Sequence, residues 1–250
     1  SRAAQLIRMK KVKGHNVKTL ILDEADKLMD KTYLESIIFI RKSLMKRTQV
    51  LLFSASISNK TIKQANTITY NPVIYELSKE NKELIPKTIK HIFIISDRRE
   101  RIETLRKIAK AVNSDKTMIF INTKYDLEES LQKLQYHNYH VAAVACNIDK
   151  QSKRKAVEDF QNGRLQYLLA TDVAARGLQI DHISTVINVN LPEEPTEYLH
   201  RAGRCGRNNE QGLCISIITE NELNKIKKYQ KVFNINIVQK RLYNGKIVSK

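Results

Sequence analysis

Three features are scarce or missing in this sequence, and each excludes a class of protein. No run of eighteen apolar residues occurs among its 250 residues, so we expect no bilayer-spanning helix. The start lacks the charged, then apolar, then small-residue order of a signal peptide. The three cysteines are odd in number and lack metal-ligand spacing, which indicates reduced thiols rather than a disulfide framework or zinc site. We therefore expect a cytoplasmic protein, with the nucleus as the alternative in a eukaryote, and no membrane partner.

Basic residues outnumber acidic ones. The 44 Lys and Arg residues against 26 Asp and Glu give a formal net charge of +18. This excess predicts an anionic partner, with nucleic acid the first candidate and an acidic membrane surface the second. A hydrophobic content of 42% is enough for packed cores, and the length favours two compact domains over one.

Short apolar runs alternate with helical patterns along most of the chain. This alternation predicts an α/β protein whose parallel sheets are covered on both faces, with sites at the carboxyl ends of the strands. The polar stretch before Pro86 indicates a linker over residues 78–88, between domains spanning 1–77 and 89–250. We predict strands at 19–22, 50–53, 73–75, 91–95, 117–121, 141–145, 166–170, 185–189 and 213–218. We predict helices at 33–45, 58–69, 99–111, 125–134, 151–160, 197–204 and 221–231.

The sequence from His200 to Arg207 places three arginines three residues apart, with two glycines between them. An arginine presents a planar fork of N–H donors that fits phosphate oxygens, and glycine lets a bulky anion approach the backbone. The alternative is a solvated basic helix. A second stretch far upstream, Asp23-Glu24-Ala25-Asp26, carries complementary carboxylates.

These two stretches resemble motifs of the DEAD-box ATP-dependent RNA helicases. Asp23 to Asp26 spell the family's signature, and His200 to Arg207 is similar to its arginine-finger motif. Four further stretches occur between them in family order, which makes chance agreement a poor explanation. They are Ser54-Ala55-Ser56, Phe120-Ile121-Asn122-Thr123, Gln151-Ser152-Lys153-Arg154 and Ala170 to Leu178. The resemblance implies RecA-like domains, one partial and one complete, that use ATP, Mg²⁺ and RNA.

For catalysis, the resemblance implies that Asp23 holds Mg²⁺ through water and that Glu24 orients or deprotonates the attacking water. Arg204 and Arg207 would reach the γ-phosphate from the second domain. A structural alternative makes Asp23 a helix N-cap, which is compatible with catalysis. Cys205 lies among these arginines, where nearby charge could lower its pKa, although we favour a small filler residue there.

The family also assigns residues to coupling and to nucleotide contact. By resemblance, His200 contacts the motif of Ser54 and Ser56, and Asp26 belongs to the same coupling set. Gly177 and Gln179, together with the two arginines, would bind ATP. This chain has Gln179 and Asn190 where the family has aspartates, which makes the site less acidic.

RNA contact is implied for six residues, three of them beside predicted strand ends. Gln151 and Arg154 lie one helical turn apart and can face the same phosphate, unless they are only a surface pair. The chain has no Trp and only 6% aromatic residues, which favours backbone contact over base stacking. The remaining four are Asn122, Thr123, Thr171 and Arg176. The basic tail over 220–250 either touches RNA or is a solvated helix and strand.

No Gly-x-x-x-x-Gly-Lys-[Ser/Thr] phosphate loop occurs in the sequence; the Gly245-Lys246 pair is followed by Ile247. We therefore expect an amino-terminally truncated helicase whose 250 residues alone do not hydrolyse ATP efficiently. The function that the resemblance implies is local unwinding or remodelling of RNA duplexes coupled to ATP hydrolysis. The alternative is an RNA-binding or annealing module that uses the same fold without turnover.

Overall fold

A computed structural model describes residues 1–54, 59–75, 85–145, 148–178, 180–207 and 210–249. The chain divides into two compact units, Ser1–Lys82 and Glu83–Lys250. Each unit has its own apolar core in the described part of the chain.

The first unit contains a two-stranded parallel sheet. Strand β1 (Thr19–Leu22) pairs with β2 (Gln49–Leu52), with Thr19 opposite Gln49. The helices are α1 (Arg2–Arg8), α2 (Ala25–Leu28), α3 (Lys31–Lys42) and α4 (Asn59–Ala65), with a 3₁₀ turn at Gly14–Asn16. The buried core of the described residues is Ala4, Leu22, Met29, Ile37, Ile40 and Ile68.

The second unit is built on an eight-stranded sheet. Its strands are β3 (Ile89–Ile95), β4 (Thr117–Phe120), β5 (Val141–Val144), β6 (Tyr167–Ala170), β7 (Thr185–Asn188), β8 (Gly212–Ile218), β9 (Ile237–Tyr243) and β10 (Lys246–Ser249). Its helices are α5 (Arg101–Val112), α6 (Lys124–Tyr136), α7 (Lys150–Gln161), α8 (Asp172–Ala175), α9 (Pro195–Ala202) and α10 (Leu223–Phe233). The 3₁₀ turns are Arg98–Glu100 and Glu220–Glu222.

The strand order of this sheet is β10-β9-β3-β8-β7-β4-β6-β5, and every neighbouring pair except β9–β10 is parallel. All four residues of β4, β6 and β7 are buried, because helices cover both faces of the sheet. The carboxyl ends of the parallel strands lie at one edge, where the loops that carry the sequence motifs begin.

Most of the predicted elements are present, and the α/β class is confirmed. The strand predicted at 73–75 is wrong: Val73 is 74% exposed, Tyr75 is 89% exposed, and neither belongs to a strand. The helix expected to reach Arg204 ends at Ala202, so the last two arginines of the motif lie beyond it. Ser58, the expected cap of α4, lies outside the described residues. So do most of the predicted linker residues, and the linker's limits stay a prediction.

The tail contains one strand more than the helix and strand of the solvated interpretation, and its contact with RNA stays a prediction. After α10 it forms two strands, β9 and β10, which extend the sheet at its edge. The turn between them is Asn244-Gly245, with φ angles of 47° and 72°, the left-handed pair typical of a two-residue hairpin. Within the described ranges, no helix is long and apolar enough to cross a membrane.

Candidate functional site

In the first unit, the acidic motif directly follows β1. Asp23 is exposed, and its Oδ1 accepts a hydrogen bond from the backbone N–H of Glu24 at 2.9 Å. Glu24 occupies the left-handed region (φ 51°, ψ 47°), which costs a non-glycine residue about 1 kcal/mol. The backbone N–H of Ala25 donates to the carbonyl oxygen of Phe53 at 2.9 Å and helps hold this turn. The N-cap of α2 is therefore Glu24, and the capping alternative for Asp23 is wrong.

The geometry of Asp23 fits a magnesium ion bound largely through water. Its Oδ2 has no hydrogen-bond or ion-pair partner among the described residues. Mg²⁺ usually takes one or two protein carboxylates and completes its shell with water and substrate phosphates. The described part of the chain contains no cluster of three or more His, Cys, Asp or Glu side chains that could hold a metal by itself.

Asp26 and Ser54 bind each other across the two strands of the first unit. The backbone N–H of Asp26 donates to Ser54 Oγ at 3.3 Å, and Ser54 Oγ donates to Asp26 Oδ1 at 2.9 Å. Because Ser54 follows β2 and Asp26 follows β1, these hydrogen bonds join the loops after the two strands. Two of the predicted coupling residues are thus brought together. Ser56, the third in this unit, lies outside the described residues.

In the second unit, Arg201 is the centre of a buried polar network. Its guanidinium binds both carboxylate oxygens of Asp172, at 2.7 and 2.6 Å. The other donors reach Asn188 Oδ1 at 3.2 Å, the carbonyl oxygen of Asn190 at 2.7 Å and Asn122 Oδ1 at 2.8 Å. All five N–H groups are used, and the residue is 2% exposed. Arg201 is thus unavailable to phosphate, unlike the role expected of the motif's arginines.

Sequence reasoning left Arg201 out of the candidate site, although a signal was present. It lies three residues after Tyr198 and one residue before Ala202, both fully buried, so it falls on the inward face of α9. Through Arg201, the loops after β4, β6 and β7 are fastened to one another. This residue therefore positions the loops that carry the predicted RNA contacts.

Asn122, Thr123 and Thr171 are all held at strand ends by hydrogen bonds. Thr123 Oγ1 accepts from the N–H of Asp126 at 3.1 Å and caps α6, while Thr171 Oγ1 accepts from the N–H of Ala174 at 3.4 Å and caps α8. Capping uses a lone pair of each hydroxyl and leaves its proton to donate. The Asn122 amide group keeps its N–H₂ donors, because Arg201 binds only its oxygen.

Asn190, one departure from the family pattern, retains the acceptor that an aspartate would supply. Its Oδ1 accepts from the backbone N–H of Asn122 at 3.1 Å. The substitution therefore removes a negative charge without removing this link between the loops after β4 and β7. Gln179, the other departure, lies outside the described residues.

Gln151 and Arg154 lie in the first turns of α7. Asp149 caps this helix by accepting from the N–H groups of Gln151 and Ser152, both at 2.9 Å, and hydrogen bonding to Ser152 lowers the pKa of Asp149. Arg154 is exposed and pairs with Glu158 at 2.8 Å. An exposed pair of this kind costs little to break, so Arg154 can exchange Glu158 for a phosphate. The Arg176 guanidinium similarly lies 3.4 Å from Glu197.

At the end of the arginine motif, both arginine side chains donate to backbone carbonyl oxygens, and the backbone packs closely at Gly206. Arg204 donates to the carbonyl oxygen of Leu178 at 2.8 Å, and Arg207 donates to that of Gly203 at 3.2 Å. Gly206 has φ 66°, and a Cβ there would lie 2.6 Å from Ile89, so only glycine fits. His200 and Gly177 lie in the same unit, and Gly177 has φ 70°.

Cys205 is a buried filler rather than a reactive thiol. Its side chain is 1% exposed, and its Sγ lies 3.3 Å from the carbonyl oxygen of Ala202. Burial raises the pKa of Cys205, which outweighs any effect of the neighbouring arginines. The filler interpretation is therefore supported, and a lowered pKa is not.

Two family models match the chain: DEAD/DEAH box helicase over residues 1–65 and helicase conserved C-terminal domain over residues 100–209. The DEAD-box ATP-dependent RNA helicase CshC of Bacillus cereus is 32% identical over 248 residues, which cover 99% of this chain and 62% of that protein. The probable ATP-dependent RNA helicase YfmL of Bacillus subtilis is 30% identical over 249 residues, covering 100% and 65%.

Among solved structures, S. cerevisiae Dbp5 bound to RNA and ADP BeF3 matches with a TM-score of 0.86 and 27% identity, covering 95% of this chain and 63% of that one. The chain thus spans just under two thirds of the length of these relatives. The order of the motifs, the α/β architecture and the matches agree. We conclude that this chain belongs to the DEAD-box family of RNA helicases.

Proposed function

We propose that the chain forms part of an ATP-dependent RNA helicase that locally unwinds or remodels RNA duplexes as it hydrolyses ATP. The observation that carries the proposal is the acidic turn after β1, where an exposed Asp23 and a constrained Glu24 are joined through Asp26 to Ser54. Dbp5, a structural relative, has been solved with RNA and ADP BeF3, which supports both ligands.

In this proposal, each side chain has a definite task in phosphoryl transfer. Glu24 orients the attacking water and accepts its proton, while Asp23 would hold Mg²⁺, which neutralises phosphate charge. Arg204 and Arg207 balance the negative charge that develops on the transferred phosphoryl group. Because phosphoryl transfer needs little covalent help from the protein, positioning and charge account for catalysis.

The coupling of ATP to RNA uses residues that the two units hold in place. Asp26 and Ser54 link the loops after β1 and β2, and we propose that His200 and Ser56 act with them. Gly177 and Gln179 contact the nucleotide. Asn122, Thr123, Gln151, Arg154, Thr171 and Arg176 contact the RNA backbone, so binding is largely independent of base sequence.

The second candidate function is RNA binding or annealing without ATP turnover. It is favoured by one observation, the lack of a Gly-x-x-x-x-Gly-Lys-[Ser/Thr] loop in the 250 residues. We propose that these residues alone hydrolyse ATP poorly for this reason. A DNA helicase with related domains differs in being stimulated by DNA rather than by RNA.

The test is RNA-stimulated ATP hydrolysis, measured on the 250-residue chain and on a longer form that also carries a phosphate-binding loop. We expect turnover by the longer form, a loss of at least a hundredfold in Glu24→Gln, and no change in Glu35→Gln, which removes an exposed charge from α3. RNA binding without hydrolysis by the longer form would favour the annealing module. Turnover by the 250 residues alone would refute our account of the nucleotide site.

A further inference from the structure

A groove lies beside the carboxyl-terminal hairpin of the second unit, apart from all the residues assigned above. Its cavity has a volume of about 550 Å³, within the range of ligand sites. The hairpin groove, as we call it, is formed by the end of β3, the first turns of α5, and β9 with the turn that follows it. Its lining comprises Ile94, Ile95, Thr104, Lys107 and residues 239–245.

The groove exists because β9 is offset along β3, a strand of the same length, and extends past its carboxyl end. Ile94 of β3 is opposite Lys240, and β3 ends one residue later, at Ile95. Strand β9 continues to Tyr243 and turns back at Asn244-Gly245. The overhanging hairpin therefore leaves one wall of the groove without a neighbouring strand.

Positive charge in this groove is not balanced by nearby carboxylates. Residues 223–250 include eight Lys or Arg residues and no Asp or Glu. Among the described residues, no carboxylate pairs with Lys107, Lys240 or Arg241: Lys240 donates to Ser249 Oγ at 2.9 Å, and the Arg241 guanidinium lies 5.7 Å from the Tyr243 ring centre. Glu103 on α5 is already bound by Arg106 and Lys133. The groove therefore favours an anionic ligand.

The position and composition of the groove favour RNA over an acidic peptide. Tyr243 is 60% exposed beside the cations, and an exposed aromatic ring next to a cationic track suits a base and its phosphate. The groove also lies at the carboxyl edge of the sheet, like Asn122 and Thr171. Two strands, β8 and β7, separate β3 from β4. At about 4.8 Å per strand, β3 and β4 are about 14 Å apart, a distance that one RNA strand can bridge.

We propose that the hairpin groove binds the sugar–phosphate backbone of single-stranded RNA through Lys107, Lys240 and Arg241, with Tyr243 stacking on a base. This inference extends the RNA surface of the proposed function and rests on it. It also assigns a role to the basic tail, which the sequence left open between RNA contact and a solvated element.

The experiment measures binding of a fluorescent single-stranded RNA to the 250-residue chain, without nucleotide, over a range of salt concentrations. For the variant K107Q/K240Q/R241Q we expect affinity at least tenfold lower. The slope of log K against log salt should become shallower by about 2, since each lost phosphate contact on a single strand contributes about 0.7. Tyr243→Ala should weaken binding severalfold and leave the salt slope unchanged, because stacking releases no counterions.

The matched control is K46Q/R47Q/K63Q, which also removes two lysines and one arginine, but from exposed positions in the first unit. Equal losses of RNA affinity in the two triple variants would refute RNA binding by the groove, since the change in net charge alone would then explain both losses. If K107Q/K240Q/R241Q binds RNA as tightly as wild type but no longer binds a polyglutamate peptide, the groove's occupant is an acidic protein segment and not RNA. Unchanged melting temperatures are required of every variant for these comparisons.

A further variant, Arg154→Gln, separates this inference from the proposed function. If Arg154→Gln weakens RNA binding and the hairpin variant does not, the groove is refuted and the assigned RNA residues stand. If only the hairpin variant weakens binding, the inference holds, and the role of Arg154 is refuted. A wild-type chain that binds no RNA would refute both.

Discussion

Arg201 shows how one side chain can stabilise a site without touching its ligands. The residue is 2% exposed and satisfies all five donors with Asp172 and three asparagines. Its planar guanidinium also lies 5.0 Å from the centre of the Phe120 ring. Lysine could not reproduce this arrangement, since its ammonium group has three donors and no plane.

Replacing Arg201 by alanine should lower the free energy of unfolding of the second unit by about 3 kcal/mol. Removing one partner of a buried ion pair leaves the carboxylate of Asp172 and several amide groups without partners. Urea denaturation followed by far-UV circular dichroism measures this change. As a control, Arg164→Ala removes a pair in which the arginine is exposed and Asp159 is partly buried, and it should cost less than about 1 kcal/mol. Similar losses in the two variants would show that the buried network adds no stability.

Between elements, a charged triad joins α5 to α6. Glu103 accepts from Arg106 Nη2 at 2.5 Å on its own helix and from Lys133 Nζ at 3.0 Å on α6. The hydrogen bonds from Arg106, followed by those from Lys133, lower the pKa of Glu103 from 4.5 to about 2. The ionised form is therefore the one that the folded protein stabilises.

This triad should make stability depend on pH in a defined direction. Because the folded pKa of Glu103 is depressed, its contribution is present above about pH 4.5 and is lost as the pH falls towards 2. We expect Glu103→Gln to destabilise the chain by about 1 to 2 kcal/mol at pH 6, after allowance for partial solvent screening, and by roughly half as much or less at pH 3. Glu128→Gln, whose carboxylate pairs with one lysine on the same helix at 3.5 Å, is the control. A difference between wild type and Glu103→Gln that stays constant with pH would contradict this account.

The elements that sequence predicts well are those with one dominant signal. Short apolar runs such as Thr117–Phe120 predict buried parallel strands because both faces of such a strand are covered. Val73–Tyr75 is also rich in β-branched and aromatic residues, yet it forms no strand. A strand needs a neighbouring strand to pair with, and the β propensity of a segment does not show whether one is present. The hairpin turn Asn244-Gly245 was a readable signal that the prediction did not use.

The candidate site was predictable where a residue's role depends on its own motif, and less so where it depends on distant partners. Asp26 and Ser54 were expected to act together, and they form two hydrogen bonds. The equal spacing of Arg201, Arg204 and Arg207 does not distinguish the buried arginine, and its place one helical turn after Tyr198 indicates burial but not its partners. That difference arises from Asp172 and Asn122, which are close to Arg201 only in the folded sheet.

On the scale of the whole molecule, the two units differ in how completely their sheets are covered. In the first unit, Ile21 of β1 is 59% exposed and Phe53, just after β2, is 56% exposed. In the second unit, every residue of β4 is buried between two clusters of apolar side chains. Burial of apolar surface is the main favourable contribution to the free energy of folding. Each strand of the described first unit buries less apolar surface and is therefore stabilised less.

Native-state hydrogen exchange should therefore separate the two units. The amides of β1 and β2 should exchange through openings of lower free energy than those of β4, β7 and β8, because less apolar surface holds the smaller sheet together. Mass spectrometry of peptides from each strand, at increasing urea below the global transition, measures these energies. The edge strand β10 provides an internal reference, since it is antiparallel, partly exposed and expected to open readily within the larger unit. Equal protection of β1 and β4 would mean that the exposed faces of the first unit are stabilised in solution, and that the chain unfolds as one cooperative body.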